Sequence, residues 1–328
     1  MTGAGPAGSG AGLEAAPRRL GRLRLEDALF RGTTRAFAVG VLLLLLAVML
    51  SLVIGSIPAI SKFGFGFLWE QRWNPVKEIF GALPAIYGTL ITSAIAMVIA
   101  VPVGLGIALF LTELCPPWLR RPIGTLIELL AAIPSIIYGI WGLFVLAPVL
   151  QSTVQPALVS TLGALPFFGA LFAGPPLGLG ILTAGFILAV MVLPFIAAVS
   201  RDVFVTVPPV LRESAYGIGA TTAEVVRDIV VPYTRVGVMG GVMLGLGRAL
   251  GETMAVTFVI GNSHHIATSL LGPGTTISAT LANEFTEAVG DLYTSSLIEL
   301  GLILFVITFI VLAAARLMLM RLEQQAAK

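Results

Sequence analysis

Residues 202–252 read DVFVTVPPVLRESAYGIGATTAEVVRDIVVPYTRVGVMGGVMLGLGRALGE. A polar and charged segment opens this stretch, and long apolar segments lie on both sides of it. The apolar segment that follows carries two charged residues, Arg248 and Glu252. Charged residues at membrane depth are rare and are usually functional. The pattern predicts a polar segment at a membrane surface, followed by a spanning helix with two charges inside it.

The composition indicates a membrane protein built from helices. Of the 328 residues, 57% are hydrophobic and 11% are charged, against about 25% charged residues in soluble proteins. A soluble domain could not bury that much apolar surface. Cys115 is the single cysteine, which excludes an internal disulfide. The sequence therefore predicts an all-α integral membrane protein without a disulfide framework.

Six apolar segments are long enough to span a bilayer as helices, which takes about 20 residues each. We predict the spans at 36–60, 81–112, 122–149, 179–199, 236–261 and 293–319. A cleaved signal peptide is the alternative for the first, although its apolar run exceeds the ~7–15 residues of a typical signal core. Residues 151–178 contain no Lys, Arg, Asp or Glu and are predicted to form an irregular loop.

The basic residues set the predicted orientation. All but four of the 19 lysines and arginines fall in segments on one side of the membrane. The exceptions are Lys62, Arg72, Lys77 and Arg248. Because basic residues concentrate in cytosolic segments, we predict that both termini are cytosolic. The tail 1–35, the loop 201–235 and the tail 321–328 then lie inside, and the loop 61–80 lies outside.

Small residues distinguish the polar loop from an ordinary surface segment. Pro208 and Pro209 end the preceding helix, and the residues from Glu213 to Val225 suit short helices with a break at Gly219. The small side chains between 214 and 220 favour close packing on a partner surface. A solvated amphipathic loop is the alternative interpretation.

Arg248 and Glu252 are four positions apart, so on a helix they share a face and can pair. Each charge inside the membrane costs on the order of 2.5–3.5 kcal/mol on insertion scales, which favours a functional reason for keeping both. An arginine suits an oxyanion because it presents several fixed donors. A structural ion pair is the alternative.

No phosphate-binding loop for ATP is encoded. The motif requires Gly-x-x-x-x-Gly-Lys followed by Ser or Thr, and the lysines, Lys62, Lys77 and Lys328, do not fit it. His264 and His265 are adjacent loop residues, for which we predict a polar surface and no metal site. We predict no catalytic residue and no cofactor in this chain, so that ATP and Mg²⁺ would bind to a partner ATPase.

The loop motif resembles the EAA loop of binding-protein-dependent ABC permeases, whose signature is E-A-A, three residues, G, nine residues, I-x-L-P. The matching positions are Glu213, Ser214, Ala215, Gly219, Ile229 and Pro232, with Ser214 and Val231 departing from the pattern. In that family the loop docks on the ATP-binding subunit. The resemblance implies that these six residues couple the chain to an ATPase.

Three further segments resemble permeases of the phosphate-specific PstC type. They are IPSIIYGIWG at 133–142, GRALGETMA at 247–255 and ANEF at 282–285. The resemblance covers most of the chain from Gly81 to Leu319. It implies a type-I (MetI-like) permease core of five helices within 81–320, preceded by one added helix at 36–60. It also implies that Arg248 and Glu252 line the pathway for inorganic phosphate.

The resemblance also implies partners in a bacterial inner (plasma) membrane. They are a PstA-like second permease, a PstB-like ATP-binding subunit dimer and a PstS-like phosphate-binding protein, with no nucleic acid involved. The loops 61–80, 151–178 and 262–292 are expected to meet the binding protein, and transport is expected to follow alternating access. Two alternatives stay open at this point: a permease for sulfate or molybdate, and an ATP-independent secondary carrier.

Overall fold

A computed structural model describes residues 15–163, 165–166 and 169–326. Within them the chain is helical, with one isolated antiparallel bridge between Asn74 and Ile79 and no β-strand. The predicted all-α class is confirmed. Residues 1–14 lie outside the described part, so the predicted N-terminal tail, 1–35, is described only from Ala15.

The helices are numbered in chain order. Their bounds are α1 Ala15–Phe63, α2 Gly66–Trp69, α3 Leu83–Leu109, α4 Pro117–Ala132, α5 Ser135–Trp141, α6 Ala147–Val149, α7 Gln155–Thr161, α8 Ile181–Val205, α9 Pro209–Gly217, α10 Thr222–Val225, α11 Val231–Leu250, α12 Met254–Thr257, α13 Ile277–Glu284 and α14 Asp291–Ala326. Two short 3₁₀ turns, Pro75–Lys77 and Gly169–Phe172, lie in the connections.

Six helical stretches within the described residues are long and apolar enough to cross a membrane, as the sequence predicts. They are Glu26–Phe63, Leu83–Leu114, Ser135–Thr161, Ile181–Val205, Thr222–Leu250 and Asp291–Arg321. Four of them match the predicted spans closely. The third and the fifth do not, and each difference has a local cause.

The third span lies further along the chain than predicted. Ile133 is extended because the residue before a proline avoids the helical region, so the chain breaks at Pro134. Helix α4 is therefore a separate amphipathic helix, and the span runs over Ser135–Thr161 rather than 122–149. The first part of the predicted irregular loop, 151–161, is consequently helical.

Four π-helical turns let helices continue or end next to prolines. Each turn ends two residues before a proline. They are Phe110–Leu114 before Pro116, Gly142–Leu146 before Pro148, Leu150–Val154 before Pro156 and Val226–Val230 before Pro232. Proline has no N–H and collides with the carbonyl four residues earlier, and a wider turn removes that collision. Pro148 and Pro156 therefore do not interrupt the third span.

Helix α8 lies at the centre of the bundle and packs closely on α3. A Cβ added to Gly185 would lie 2.6 Å from Cγ2 of Ile95, and one added to Gly104 would lie 3.1 Å from Cγ2 of Ile196. Small residues allow membrane helices to approach closely and gain dispersion energy. This packing fixes the scaffold that carries the loops at both ends.

The chain divides into two units, residues 1–54 and 55–328. The described part of the first unit is a single helical segment whose large aliphatic side chains are exposed. In the second unit, Ser295 Oγ donates to the Gly55 carbonyl (2.8 Å) and accepts from the Ala59 N–H (3.0 Å). One hydroxyl of α14 thus enters the backbone hydrogen-bond ladder beside Pro58, where proline removes a donor.

Candidate functional site

Residues 201–235, which the sequence predicts to couple to an ATPase and which we call the coupling loop, include short helices at one end of the bundle. Because Arg120, Arg121, Arg201 and Arg212 gather there, we call it the arginine-rich end. Helix α9 begins at Pro209, whose fixed φ suits a first helical turn. The predicted short helices are therefore present, and α9 and α10 are joined at the predicted break.

Gly219 makes the break between α9 and α10. Its φ of +93° lies in the left-handed region, which favours glycine. The next helix begins with a capping box, in which Thr221 Oγ1 accepts from the Glu224 N–H and the Glu224 carboxylate accepts from the Thr221 N–H. The turn that separates the two helices is thus fixed on both sides.

The coupling residues divide between the interior and the surface. Ala215 is buried against Val225 and Val230, and its carbonyl accepts from the Ala220 N–H at 3.0 Å. Ile229 is half-buried beside this cluster. The positions that stay exposed are Glu213, Ser214, Gly219 and Pro232. The interior positions hold α9 in place, and the exposed ones form a surface.

That surface is apolar as well as polar. Ile218 is 88% exposed and Val210 is 67% exposed. Tyr216 is also exposed; it lies on α9 with Val210, and Ile218 follows the end of that helix. Exposed apolar groups gathered next to polar ones are typical of protein interaction sites.

Arg248 and Glu252 are not paired as the sequence predicts. Helix α11 ends at Leu250, so Glu252 lies beyond it and the two side chains do not share a helical face. The Glu252 carboxylate instead accepts from the Ala255 N–H at 3.1 Å, at the start of α12. Within the described residues no ion pair includes Arg248, whose side chain is exposed in the isolated chain. The predicted fifth span, 236–261, is corrected to Thr222–Leu250 for the same reason.

Two of the sequence segments singled out above, 133–142 and 247–255, contact each other. A Cβ added to Gly139 would lie 3.0 Å from the Met254 carbonyl oxygen and 2.8 Å from Cδ2 of Phe258. Tyr138 donates to the Leu130 carbonyl at 2.7 Å. Helix α5 thus packs tightly on α12, which follows the helix that carries Arg248.

A polar cluster closes the opposite end of the bundle. Glu284 accepts hydrogen bonds from Trp73 Nε1 and from Tyr293 Oη (2.6 Å), and its Oε1 lies 2.6 Å from His264 Nε2. Burial opposes ionisation, but these partners outweigh it and hold the pKa of Glu284 below its usual value. His264 is therefore a structural partner rather than plain polar surface. The sequence offers little indication of this role, because Glu284 lies 20 residues further along the chain and Trp73 lies in another loop.

Two acidic side chains whose roles the sequence leaves open are also placed. Glu128 pairs with Arg201 at 2.8 Å and is about half exposed. Glu299 is 6% exposed and lines an apolar cavity of about 550 Å³ with Trp69 and Leu83. Its Oε2 has no hydrogen-bond partner in the described part of the chain.

Comparison with known proteins identifies the family. The family model for the binding-protein-dependent transport system inner membrane component matches residues 100–324. The chain belongs to this family. Its relatives include a "Phosphate transport system permease protein PstC" of Mesorhizobium japonicum, 68% identical over 92% of both chains. The protein of the same name from Pasteurella multocida is 61% identical over 91% of this permease and 93% of its own length. The resemblance to PstC-type permeases is confirmed.

Solved structures show the same fold at low identity. A bacterial ABC transporter chain involved in import of the acidic polysaccharide alginate matches with a TM-score of 0.57 and 17% identity, over 92% of this permease and 99% of that chain. A MetNI methionine ABC transporter chain matches with a TM-score of 0.52 and 17% identity, over 76% and 96%. The predicted type-I importer permease fold is confirmed. The sulfate, molybdate and secondary-carrier alternatives are not favoured.

Proposed function

We propose that this permease is the transmembrane subunit of an ATP-driven phosphate importer and forms half of its translocation pathway. The observation that carries the proposal is 68% identity, over 92% of both chains, to a protein named as a phosphate transport system permease. Such identity over most of both chains supports a shared substrate class.

The arginine-rich end would face the cytosol, with both termini on that side, in a bacterial inner membrane. Support comes from the distribution of basic residues, since Arg120, Arg121, Arg201 and Arg212 lie at one end and Lys62 and Arg72 precede the second span. Basic residues concentrate on the cytosolic side of membrane proteins. This orientation presents the coupling loop to a cytosolic ATPase.

The exposed face of α9 would dock on a PstB-like ATP-binding subunit. That subunit, and not this chain, would bind ATP with Mg²⁺ and hydrolyse it. Val210 and Ile218 supply apolar contact area, and Glu213 supplies a charge at the rim. A PstA-like permease would supply the second half of the pathway, and a PstS-like protein would deliver phosphate at the opposite end. ATP-driven movement of α9 would then switch the side to which the pathway opens.

Arg248 would contact phosphate within that pathway, with Glu252 near it. The guanidinium is exposed in the isolated chain and lies near the end of a spanning helix. An exposed arginine on a spanning helix is costly where it faces lipid. It is stable where a second permease encloses a hydrated pathway in front of it.

The test is phosphate uptake by the complete transporter in liposomes. Arg248→Gln should lower uptake at least tenfold while the complex assembles and its ATPase remains active, because the anion loses a charged donor of roughly 1.5–3 kcal/mol. Arg321→Gln, which removes one exposed charge from the end of α14, is the control and should transport normally. Unchanged uptake by Arg248→Gln would overturn the pathway assignment. Uptake of sulfate but not phosphate by the unaltered complex would overturn the assignment of phosphate as the substrate.

A further inference from the structure

A small pocket between the coupling loop and the helix ends above it is lined by four arginines. Its volume is about 320 Å³, and Arg120, Arg121, Arg201 and Arg212 form its polar wall. A water molecule occupies about 30 Å³ of liquid, so the pocket has room for a hydrated oxyanion. None of these side chains belongs to the transport pathway described above.

Several donors in this wall have no partner within the described residues. Arg121 makes no hydrogen bond or ion pair there, and Arg120 uses only its Nε, which donates to the Cys115 carbonyl at 2.8 Å. Arg212 donates through Nη2 to the Phe204 carbonyl at 2.7 Å. Its Nε is buried without any hydrogen-bond partner. The buried Nε of Arg212, the free Nη groups of Arg120 and the whole guanidinium of Arg121 are thus available to an acceptor.

Three carboxylates reduce the positive charge without removing it. Glu113 lies 3.1 Å from Arg212 but outside hydrogen-bonding geometry. Glu128 and Asp202 each lie 2.8 Å from Arg201, and both are more than half exposed, so that water screens them. Four guanidinium groups against three carboxylates leave one positive charge in excess, at the side that holds Arg120 and Arg121.

We propose that this pocket binds a phosphate group, carried by free inorganic phosphate or by the headgroup of an anionic phospholipid. Guanidinium groups bind phosphate oxygens through paired, charge-assisted hydrogen bonds. Because Arg212 belongs to α9, the bound group ties the coupling helix to the start of α4 and the end of α8. The site is thus placed to hold the segment that takes up ATPase movement.

The experiment uses the complete complex, without the binding protein, in two kinds of nanodisc. In phosphatidylcholine alone, binding of radiolabelled inorganic phosphate is measured by equilibrium dialysis. In a mixture with phosphatidylglycerol, native mass spectrometry counts the retained anionic lipids. The variants are Arg121→Gln, which breaks no contact seen within the described residues, and the double variant Arg120→Gln with Arg121→Gln. Arg321→Gln is the charge-matched control.

We expect at least tenfold weaker phosphate binding, or loss of one retained phosphatidylglycerol, in the double variant and a smaller effect in Arg121→Gln. Loss in the first arm identifies free phosphate as the ligand, and loss in the second identifies the lipid. Arg321→Gln should leave both readouts unchanged. The proposal is overturned if neither probe distinguishes the arginine variants from the unaltered complex, or if Arg321→Gln shows the same loss.

Discussion

His264 Nε2 lies 2.6 Å from Glu284 Oε1, and the two side chains come from different segments of one polar connection. The His264 ring also stacks on Trp73, with centroids 5.5 Å apart. Tyr293 donates to the same carboxylate from the start of α14. The Glu284 carboxylate therefore joins the loops 61–80 and 262–292 to the start of α14.

Glu284→Gln should destabilise the protein in a pH-dependent way. Its hydrogen-bond partners lower the pKa of Glu284 in spite of burial. The ionised carboxylate therefore stabilises the fold at pH values above the pKa that it has in the unfolded chain. This stabilisation is lost as the pH falls through the lower pKa of the folded protein. At pH 7 we expect a loss of about 1–3 kcal/mol, measured by thermal unfolding of the purified complex. The difference from the unaltered protein should shrink below the usual pKa of 4.5. Glu287→Gln, an exposed neighbour, should show no such effect.

Gly219→Ala should weaken the coupling loop through backbone strain alone. A Cβ there meets no atom within 4 Å, but the φ of +93° is unfavourable for alanine, at a cost of about 1–2 kcal/mol. We expect a lower melting temperature and a lower ratio of phosphate transported to ATP hydrolysed. Gly217→Ala is the matched control, because it is helical and equally uncrowded. Equal effects of the two substitutions would refute the strain argument.

Gly88→Ala should disrupt the contact between α3 and the segment that leads into α13. The new Cβ would lie 1.8 Å from the Thr275 carbonyl oxygen, and relieving such overpacking costs about 1–3 kcal/mol. Gly106→Ala lies in the same helix with no atom within 4 Å and should be neutral or slightly stabilising. Thermal unfolding in detergent compares the two. A stable Gly88→Ala protein would show that the two segments separate easily.

Glu252→Gln and Glu252→Ala should have different effects. Glutamine keeps an acceptor for the Ala255 N–H, so stability should change little, whereas alanine removes it at about 1 kcal/mol. We expect both to lower phosphate uptake, because each removes the charge of a residue that we place near Arg248 in the pathway. Unfolding and uptake are measured on the same preparations. Normal uptake by Glu252→Gln would reduce Glu252 to a structural role at α12.

The sequence predicted the six spans and the all-α class well, because apolar segments of spanning length are a strong signal. The bounds of the third span were wrong, because Pro134 was placed inside it and residues 151–161 were assigned to a loop. Pro134 does interrupt the chain, whereas Pro148 and Pro156 follow π-helical turns and lie inside a helix. The width of the preceding turn does not by itself separate these cases, because Pro116 follows a π-helical turn at a helix end and Pro102 lies inside α3 without one.

The candidate site was predictable in part. Motif spacing singled out Arg248 and the six EAA-like positions, whose roles stay predictions. The pairing of Arg248 with Glu252 assumed a helix that in fact ends at Leu250. The arginine pocket and the cluster around Glu284 could not be predicted, since each joins residues from segments far apart in the chain. Long-range contacts of this kind leave no periodic signal in one sequence.

The hydroxyl of Ser295 has a consequence for biogenesis. The Gly55 carbonyl and the Ala59 N–H of α1 both bond to Ser295, which is translated long after them. Until α14 inserts, these two groups can bond to each other, because they are four residues apart in a helix. Arrival of the hydroxyl then exchanges one local hydrogen bond for two between distant parts of the nascent chain.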